Sequence, residues 1–365
     1  MPDFPWDSLA TAAATARAHP GGIVDLSVGT PVDPTPEVVA EALRAASDAP
    51  GYPQTWGTPE LRTAVAAWFA RRRGVPGLDP DGVLPTVGSK ELVAWLPTLL
   101  GLGPGDLVAH PRIAYPTYDV GARLAGARPV VVDSVDDLER AAAEGPVRLL
   151  WLNSPSNPTG RVLDVAEMAA LVTAARSHGA VVASDECYAE LSWAGAAEPS
   201  PVPSVLDPRV SGGDLDGLLA VYSLSKQSNL AGYRAAFAAG DPVLVRELLQ
   251  VRKHAGMIVP APVQAALTAA LADDAHVSAQ RERYRSRRAV LLEALGRAGF
   301  RIDDSAAGLY LWATRDEASA ESVAWFAERG VLVAPGSFYG PAGARHVRMA
   351  LTATDERVAA AAARW

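Results

Sequence analysis

Amine chemistry has few places to occur in this 365-residue chain, whose lysines are Lys90, Lys226 and Lys253. Lys226 stands out by its company. It follows the apolar run 218–223 within Tyr222-Ser223-Leu224-Ser225-Lys226-Gln227-Ser228-Asn229-Leu230-Ala231-Gly232-Tyr233-Arg234. Ser223 and Ser225 bring hydroxyls, and Arg234 follows in the same segment. Such a set can anchor a phosphate while the amine attacks a nearby aldehyde. A lysine that merely ends a strand is instead solvated, so the surrounding elements have to decide between the two.

Those elements are short apolar runs alternating with helical patterns, the signature of parallel strands joined by crossover helices. Strands are expected at 83–87, 107–110, 130–133, 148–153, 180–185, 218–223 and 235–240, with helices at 89–100, 165–178 and 243–252. Several runs end on a polar residue. In open α/β sheets the ligand crevice lies outside the carboxyl ends of the strands, so Asn153, Asp185 and Ser223 are expected to face one site. The first fifty residues hold one helical stretch, 36–46. The last hundred read as a long helix (277–299), strands at 300–302 and 309–312, a helix (318–330) and a strand (331–333), an α+β order. We expect a large domain over 51–260 and a small one built from both ends, 1–50 and 261–365. The Pro-, Gly- and Ser-containing stretch 193–216 reads as a surface excursion.

Beyond Lys226, several motifs stand in a fixed order: Gly88-Ser89-Lys90-Glu91, Tyr115-Pro116-Thr117-Tyr118, Pro155-Ser156-Asn157-Pro158-Thr159-Gly160, Asp185-Glu186-Cys187-Tyr188 and Val347-Arg348-Met349-Ala350. Together with S-x-S-K and A-G-x-R around Lys226, this set resembles the fold-type I, class I/II aminotransferases. Ser154 is the departure, standing before the first proline of the N-P-x-N-P-T-G loop. The resemblance implies pyridoxal 5'-phosphate as cofactor. It also implies a large domain with a mixed, mostly parallel sheet flanked by helices, and a small α+β domain. Lys226 would bind the cofactor aldehyde and then move a proton at the substrate α-carbon. Asp185 would keep the pyridine nitrogen protonated, although an Asp at a strand end also suits a helix N-cap. Asn157 and Tyr188 would donate to the ring's phenolic oxygen, or serve as a turn residue and a core ring. Ser223, Ser225, Arg234 and the backbone at Gly88, Ser89 and Lys90 would hold the phosphate, the last group through a helix N-terminus. Tyr115 would stack on the ring, and Tyr52, before Gly57-Thr58-Pro59-Glu60-Leu61-Arg62, would reach the phosphate of a partner chain in a homodimer. Arg348 would bind the substrate α-carboxylate, with Gly29 giving close backbone approach.

Within the family, 85–100 and 252–260 look like the N-succinyldiaminopimelate aminotransferases of lysine biosynthesis. Lys90 and Lys253 are then candidates for a distal carboxylate, Arg252 being equally suited to complement a helix C-terminus. Aspartate or another amino acid is the alternative substrate, and a carbon–sulfur β-lyase the alternative reaction. Cys187, the sole cysteine, reads as a small buried residue and precludes an internal disulfide.

Composition narrows the remaining classes. A net charge of -8, from 33 Lys+Arg against 41 Asp+Glu, argues against nucleic acid as a partner and against a pyridoxal-binding regulator. The histidines lack metal-ligand spacing, and no run has membrane length, so neither a metal nor a membrane is expected and a cytoplasmic enzyme is. Gly101-Leu102-Gly103-Pro104-Gly105 mimics a dinucleotide fingerprint but follows a helix and precedes a strand, the reverse of what that site needs. Residues 281–288 are basic but spread around a helix, as on a solvated face.

Overall fold

A computed structural model describes residues 5–193 and 202–365. Its strands are, in chain order, β1 (Val24–Asp25), β2 (Val83–Val87), β3 (Leu107–His110), β4 (Arg128–Val131), β5 (Val147–Asn153), β6 (Val181–Asp185), β7 (Leu218–Ser223), β8 (Ala235–Gly240), β9 (Arg301–Ile302), β10 (Tyr310–Thr314), β11 (Val331–Leu332), β12 (Ala334–Pro335) and β13 (Val347–Ala350). The large sheet runs β2-β8-β7-β6-β5-β3-β4. Its pairs from β7 to β4 are parallel, and β8 is antiparallel to both its neighbours. Every residue of β7 and β8 is buried, which explains their unbroken apolar runs.

The strands of this sheet fall where the apolar runs lie, except that β4 sits two residues earlier than expected, whereas β1, β12 and β13 answer to no expected strand. β4 is the sheet's edge, and its residues are only partly covered. Helices Ser89–Leu99, Val165–Ser177 and Pro242–Ala255 occupy the expected crossovers. The middle one opens with a capping box, Asp164 accepting from the Glu167 N–H and the Glu167 carboxylate from the Asp164 N–H. The glycine run at 101–105 is a turn between a helix and β3.

A second, antiparallel sheet, β12-β13-β10-β9, has its own core. Leu9, Val24 and Leu26 from the start of the chain lie in that core beside Val331 and Met349, and β1 pairs in parallel with β11. Two segments that the expected division gave to the small domain pack elsewhere. Helices Glu37–Ala45 and Ala261–Ala272 lie against each other, and Val39, Val263 and Leu267 join the core of the large sheet. Their apolar faces need a partner, and the helix Pro59–Arg72 with the sheet behind it supplies one.

Two further expectations are corrected. Within 193–216, residues 194–201 lie outside the described residues; Val202, Val205, Leu206 and Val210 are buried in the large core, not on a surface excursion. The basic stretch 281–288 is not merely a solvated face of the helix Ala275–Arg297. Arg287 is buried between Asp33 and Asp355, with contacts of 2.6 Å to each, and Tyr284 is buried beside it. No helix among the described residues is long and apolar enough to cross a membrane, and no cluster of metal-ligating side chains occurs among them.

Candidate active site

The carboxyl ends of β6 and β7 open onto a cavity of about 460 Å³. Gly29, Ser89, Lys90, Tyr115, Asn157, Asp185, Tyr188, Ser223, Ser225, Lys226, Arg234 and Arg348 all line it. Asn153 stands behind the wall: its amide nitrogen donates to the Asp185 carbonyl at 3.1 Å, and its Oδ1 accepts the Asn157 N–H at 2.8 Å. The ends of β5 and β6 are thereby locked together.

Lys226 sits in the turn after β7, partly buried, with Nζ donating to the Gly29 carbonyl at 2.5 Å. Burial lowers its pKa from the ordinary lysine value, and the positive charges of Arg348 and Arg234 act in the same direction. A Cβ on Gly29 would lie 2.2 Å from the Tyr310 hydroxyl, so any side chain here would have to displace the Tyr310 ring. The turn is also held from beneath. Ser228, buried, hydrogen-bonds to His276 Nε2 at 2.8 Å, and His276 Nδ1 to Asp273 at 2.9 Å. These three residues resemble a hydrolytic triad in order of contact, but Ser228 is closed off from solvent and serves here to fasten the turn.

The set around the phosphate expectation is compact. Ser223 Oγ donates to Ser225 Oγ at 2.8 Å, and Arg234 Nη1 to the Ala231 carbonyl at 2.8 Å. Arg234 holds φ at 56°, a left-handed conformation costly for a side-chain-bearing residue. Gly88 donates its N–H to the Arg234 carbonyl at 2.8 Å, and a Cβ there would lie 2.2 Å from the Arg234 guanidinium. Gly88, at φ 76°, opens the helix Ser89–Leu99, whose N-terminus adds partial positive charge. The hydroxyls, guanidinium and helix end form an anion cradle.

Asp185 is buried, accepting the Tyr118 hydroxyl at 2.9 Å and the Cys187 N–H at 3.2 Å. Burial raises its pKa, and these hydrogen bonds oppose that only in part. A buried carboxylate of this kind is complemented by a cation. A protonated pyridine nitrogen is such a cation, so cradle, carboxylate and lysine fit an aldehyde-bearing phosphopyridine. Arg348 projects from β13, its Nη1 donating to Asn157 Oδ1 at 2.9 Å and its Nη2 to the Ser27 carbonyl at 2.6 Å. Its buried Nε has no partner, leaving donor capacity for a carboxylate. Tyr188 hydroxyl lies 3.2 Å from that of Tyr310, whose ring is 3.9 Å from the Arg348 guanidinium. Burial opposes ionisation of Tyr310, but Arg348 and Lys226 outweigh it and hold that phenol below its ordinary value. Burial pushes the Tyr188 hydroxyl well up.

Two of the expected residues do not line this cavity, and of these Tyr52 is expected at a partner chain's site. Tyr52 is fully exposed and outside the cavity lining. Lys253 is exposed near the end of the helix Pro242–Ala255, and 256–260 do not reach the cavity. Its neighbour Arg252 is wholly buried and pairs with Glu91 at 2.8 Å, binding this helix to the one opened by Gly88. Sequence reasoning missed Tyr118, Tyr310 and Trp6. Tyr118 belongs to the motif Tyr115-Pro116-Thr117-Tyr118, in which Tyr115 is the expected cofactor contact. Tyr310 is opposite Ala350 across the β10–β13 ladder, a register the sequence does not display. Cys187 lines the cavity, and burial keeps its thiol protonated, its pKa pushed well up.

The model of the family "Aminotransferase class I and II" matches residues 22–364. A protein named a probable aminotransferase, from Mycobacterium tuberculosis, is 63% identical over all of this chain and 85% of its own length. The 4-dedimethylamino-4-oxo-anhydrotetracycline transaminase OxyQ of Streptomyces rimosus is 60% identical over 100% of this chain and 99% of its own. Among solved structures, a probable N-succinyldiaminopimelate aminotransferase from Thermus thermophilus superimposes with a TM-score of 0.87 at 31% identity, covering 99% of each chain. The family depends on pyridoxal 5'-phosphate, which the cradle, Asp185 and Lys226 suit. The chain belongs to the class I and II aminotransferases and is a pyridoxal-phosphate-dependent transaminase.

Proposed function

We propose that this transaminase passes the amino group of an α-amino acid, held by Arg348, to a carbonyl acceptor larger than the simplest 2-oxo acids. The observation that carries the reading is the convergence of Lys226, beyond β7, and Arg348, on β13, upon one cavity from two separate sheets. Bound pyridoxal phosphate supplies an electron sink for the substrate α-carbon. Lys226 Nζ removes and returns the proton at that carbon, its lowered pKa leaving more of it neutral. Asp185 holds the proton on the pyridine nitrogen. Asn157 and Tyr188 donate to the ring's phenolic oxygen, Tyr115 packs on the ring, and Ser89, Ser223, Ser225 and Arg234 grip the phosphate. Tyr52, exposed on this chain, completes the partner's site in a cytoplasmic homodimer.

For the larger substrate, the first reading is N-succinyl-LL-2,6-diaminopimelate, which gives its amino group to 2-oxoglutarate and whose 6-oxo counterpart is the acceptor in the reverse direction; it is supported by the Thermus structure and by LL-diaminopimelate aminotransferases such as that of Gloeobacter violaceus at 35% identity. Its distal carboxylate keeps Lys90 as a candidate cation but not Lys253. A ketone on a fused-ring frame is the second reading, favoured by the 60% identity to OxyQ along the whole chain. Purified holoenzyme tests both: each amino donor that bleaches the cofactor's visible band is a substrate, and the product ketone is identified by mass. Release of pyruvate and ammonia from a β-substituted donor, without an aminated cofactor, would replace transamination by β-elimination.

A further inference from the structure

A second cavity, of about 690 Å³, adjoins the catalytic one, and Trp6, Lys90 and Tyr115 line both. We propose that this chamber seats the non-reacting bulk of the acceptor, that its chemistry selects a planar, largely apolar ring system, and that Trp6 is a specificity-determining residue. The proposal rests on the aminotransferase reading and deepens its second substrate reading.

The walls argue for rings rather than for a carboxylate. Val120, Pro129 and Val131 give the chamber an apolar side, and Phe338 lies 5.2 Å from the Trp6 ring, centroid to centroid. The charges at its edge neutralise one another: Arg112 pairs with Asp133 at 3.0 Å and Arg123 with Asp119 at 2.7 Å. A distal carboxylate placed among them would meet guanidinium groups already partly neutralised by their partners, whereas a flat apolar ring would meet aromatic and branched side chains. Lys90 stands on the shared wall, its Nζ 5.9 Å from the Tyr115 ring, and so belongs to the passage rather than to the depth of the chamber.

Trp6 joins the two spaces physically. Its ring lies 5.8 Å from the Arg348 guanidinium on the catalytic side and packs on Phe338 on the other. A substrate whose reacting carbon is at Lys226 can therefore run its frame along Trp6 and Tyr115 into the larger chamber. The second chamber alone, at about 690 Å³, suits a ligand of several fused rings, since pockets for drug-sized molecules span roughly 300–1,000 Å³.

The amino and carbonyl forms of a substrate share one site, so 3-(2-naphthyl)-L-alanine serves as a fused-ring probe beside L-alanine or L-glutamate as small donors. Single-turnover bleaching of the holoenzyme gives kcat/KM for each. Val131→Trp and Val120→Trp fill the chamber without touching the catalytic lining, and Val131 is 41% exposed on the edge strand, where a larger side chain is accommodated. Each variant is expected to lose at least tenfold on the naphthyl donor and less than twofold on the small one. Equal losses on both donors, no loss on the naphthyl donor, or a parent that takes small donors but not the naphthyl one would overturn the chamber's role while leaving the transaminase intact. A parent bleached by no amino acid would sink the aminotransferase reading itself, and the chamber with it.

Discussion

Lys226 combines a lowered pKa with a fixed position on the Gly29 carbonyl, and the two together make a testable amine. The neutral form attacks an aldehyde, so in cofactor-free protein the rate of pyridoxal-phosphate attachment should rise with pH and level off with a midpoint below 10.5, the ordinary lysine value. Stopped-flow absorbance reads it, and a midpoint at or above 10.5 would contradict the burial effect. Borohydride reduction and peptide mapping should find the label on Lys226, never on Lys90 or Lys253. Asp185→Asn should keep the cofactor but lose activity by about 3 kcal/mol or more in the transition state, because a neutral amide cannot hold the pyridine proton. Near-normal turnover in that variant would reduce Asp185 to a structural residue. These residues were legible because each carries an uncommon type in a fixed local pattern. Tyr310 and Trp6 were not, since their place depends on a strand register and on the packing of residues 5–9 against Phe338 and Tyr339, more than three hundred residues away.

Among the elements, the helix opened by Gly88 depends on a contact far away in sequence. Arg252, buried at the far end of another crossover helix, forks onto both oxygens of Glu91, and Glu91 in turn accepts the Val87 N–H at 3.3 Å. Removing one partner of a fully buried pair costs about 3–5 kcal/mol, and Glu91, 18% exposed, puts this pair at or below the lower end. Arg252→Ala should therefore lower stability in urea by that order and weaken cofactor affinity, while Lys253→Ala should change neither. Equal effects of the two substitutions would show that the pair does not govern the cradle. Apolar periodicity revealed both helices, but not this link: the sequence offered helix-dipole complementation for Arg252, and only packing turns the side chain inward. The same limit explains β4, whose partly covered edge residues give a weak apolar signal.

At the scale of the molecule, Tyr52 is exposed on a chain whose other cofactor-holding side chains gather in one cavity. If it serves a partner's phosphate, Tyr52 and Lys226 variants, each poor alone, should regain part of the activity when unfolded together and re-dimerised, since one intact site forms per mixed dimer. Activity that stays at the level of the weaker variant would separate Tyr52 from catalysis. The two-sheet plan was readable from the change in element order near residue 270, whereas the swapping of helices Glu37–Ala45 and Ala261–Ala272 to the large core was not, because apolar faces do not name their partner. One detail of that plan sets a timetable for synthesis. β1, made near the start, pairs only with β11, made some three hundred residues later, while β2 to β8 form a continuous stretch of chain. Contacts between distant segments close late in folding. In pulsed exchange during refolding, amides of Leu219–Val221 should gain protection before that of Val24. Gly29, just beyond β1, then meets Lys226 last, so the newborn enzyme has a sheet ready for its cofactor before it has a finished grip on the catalytic amine.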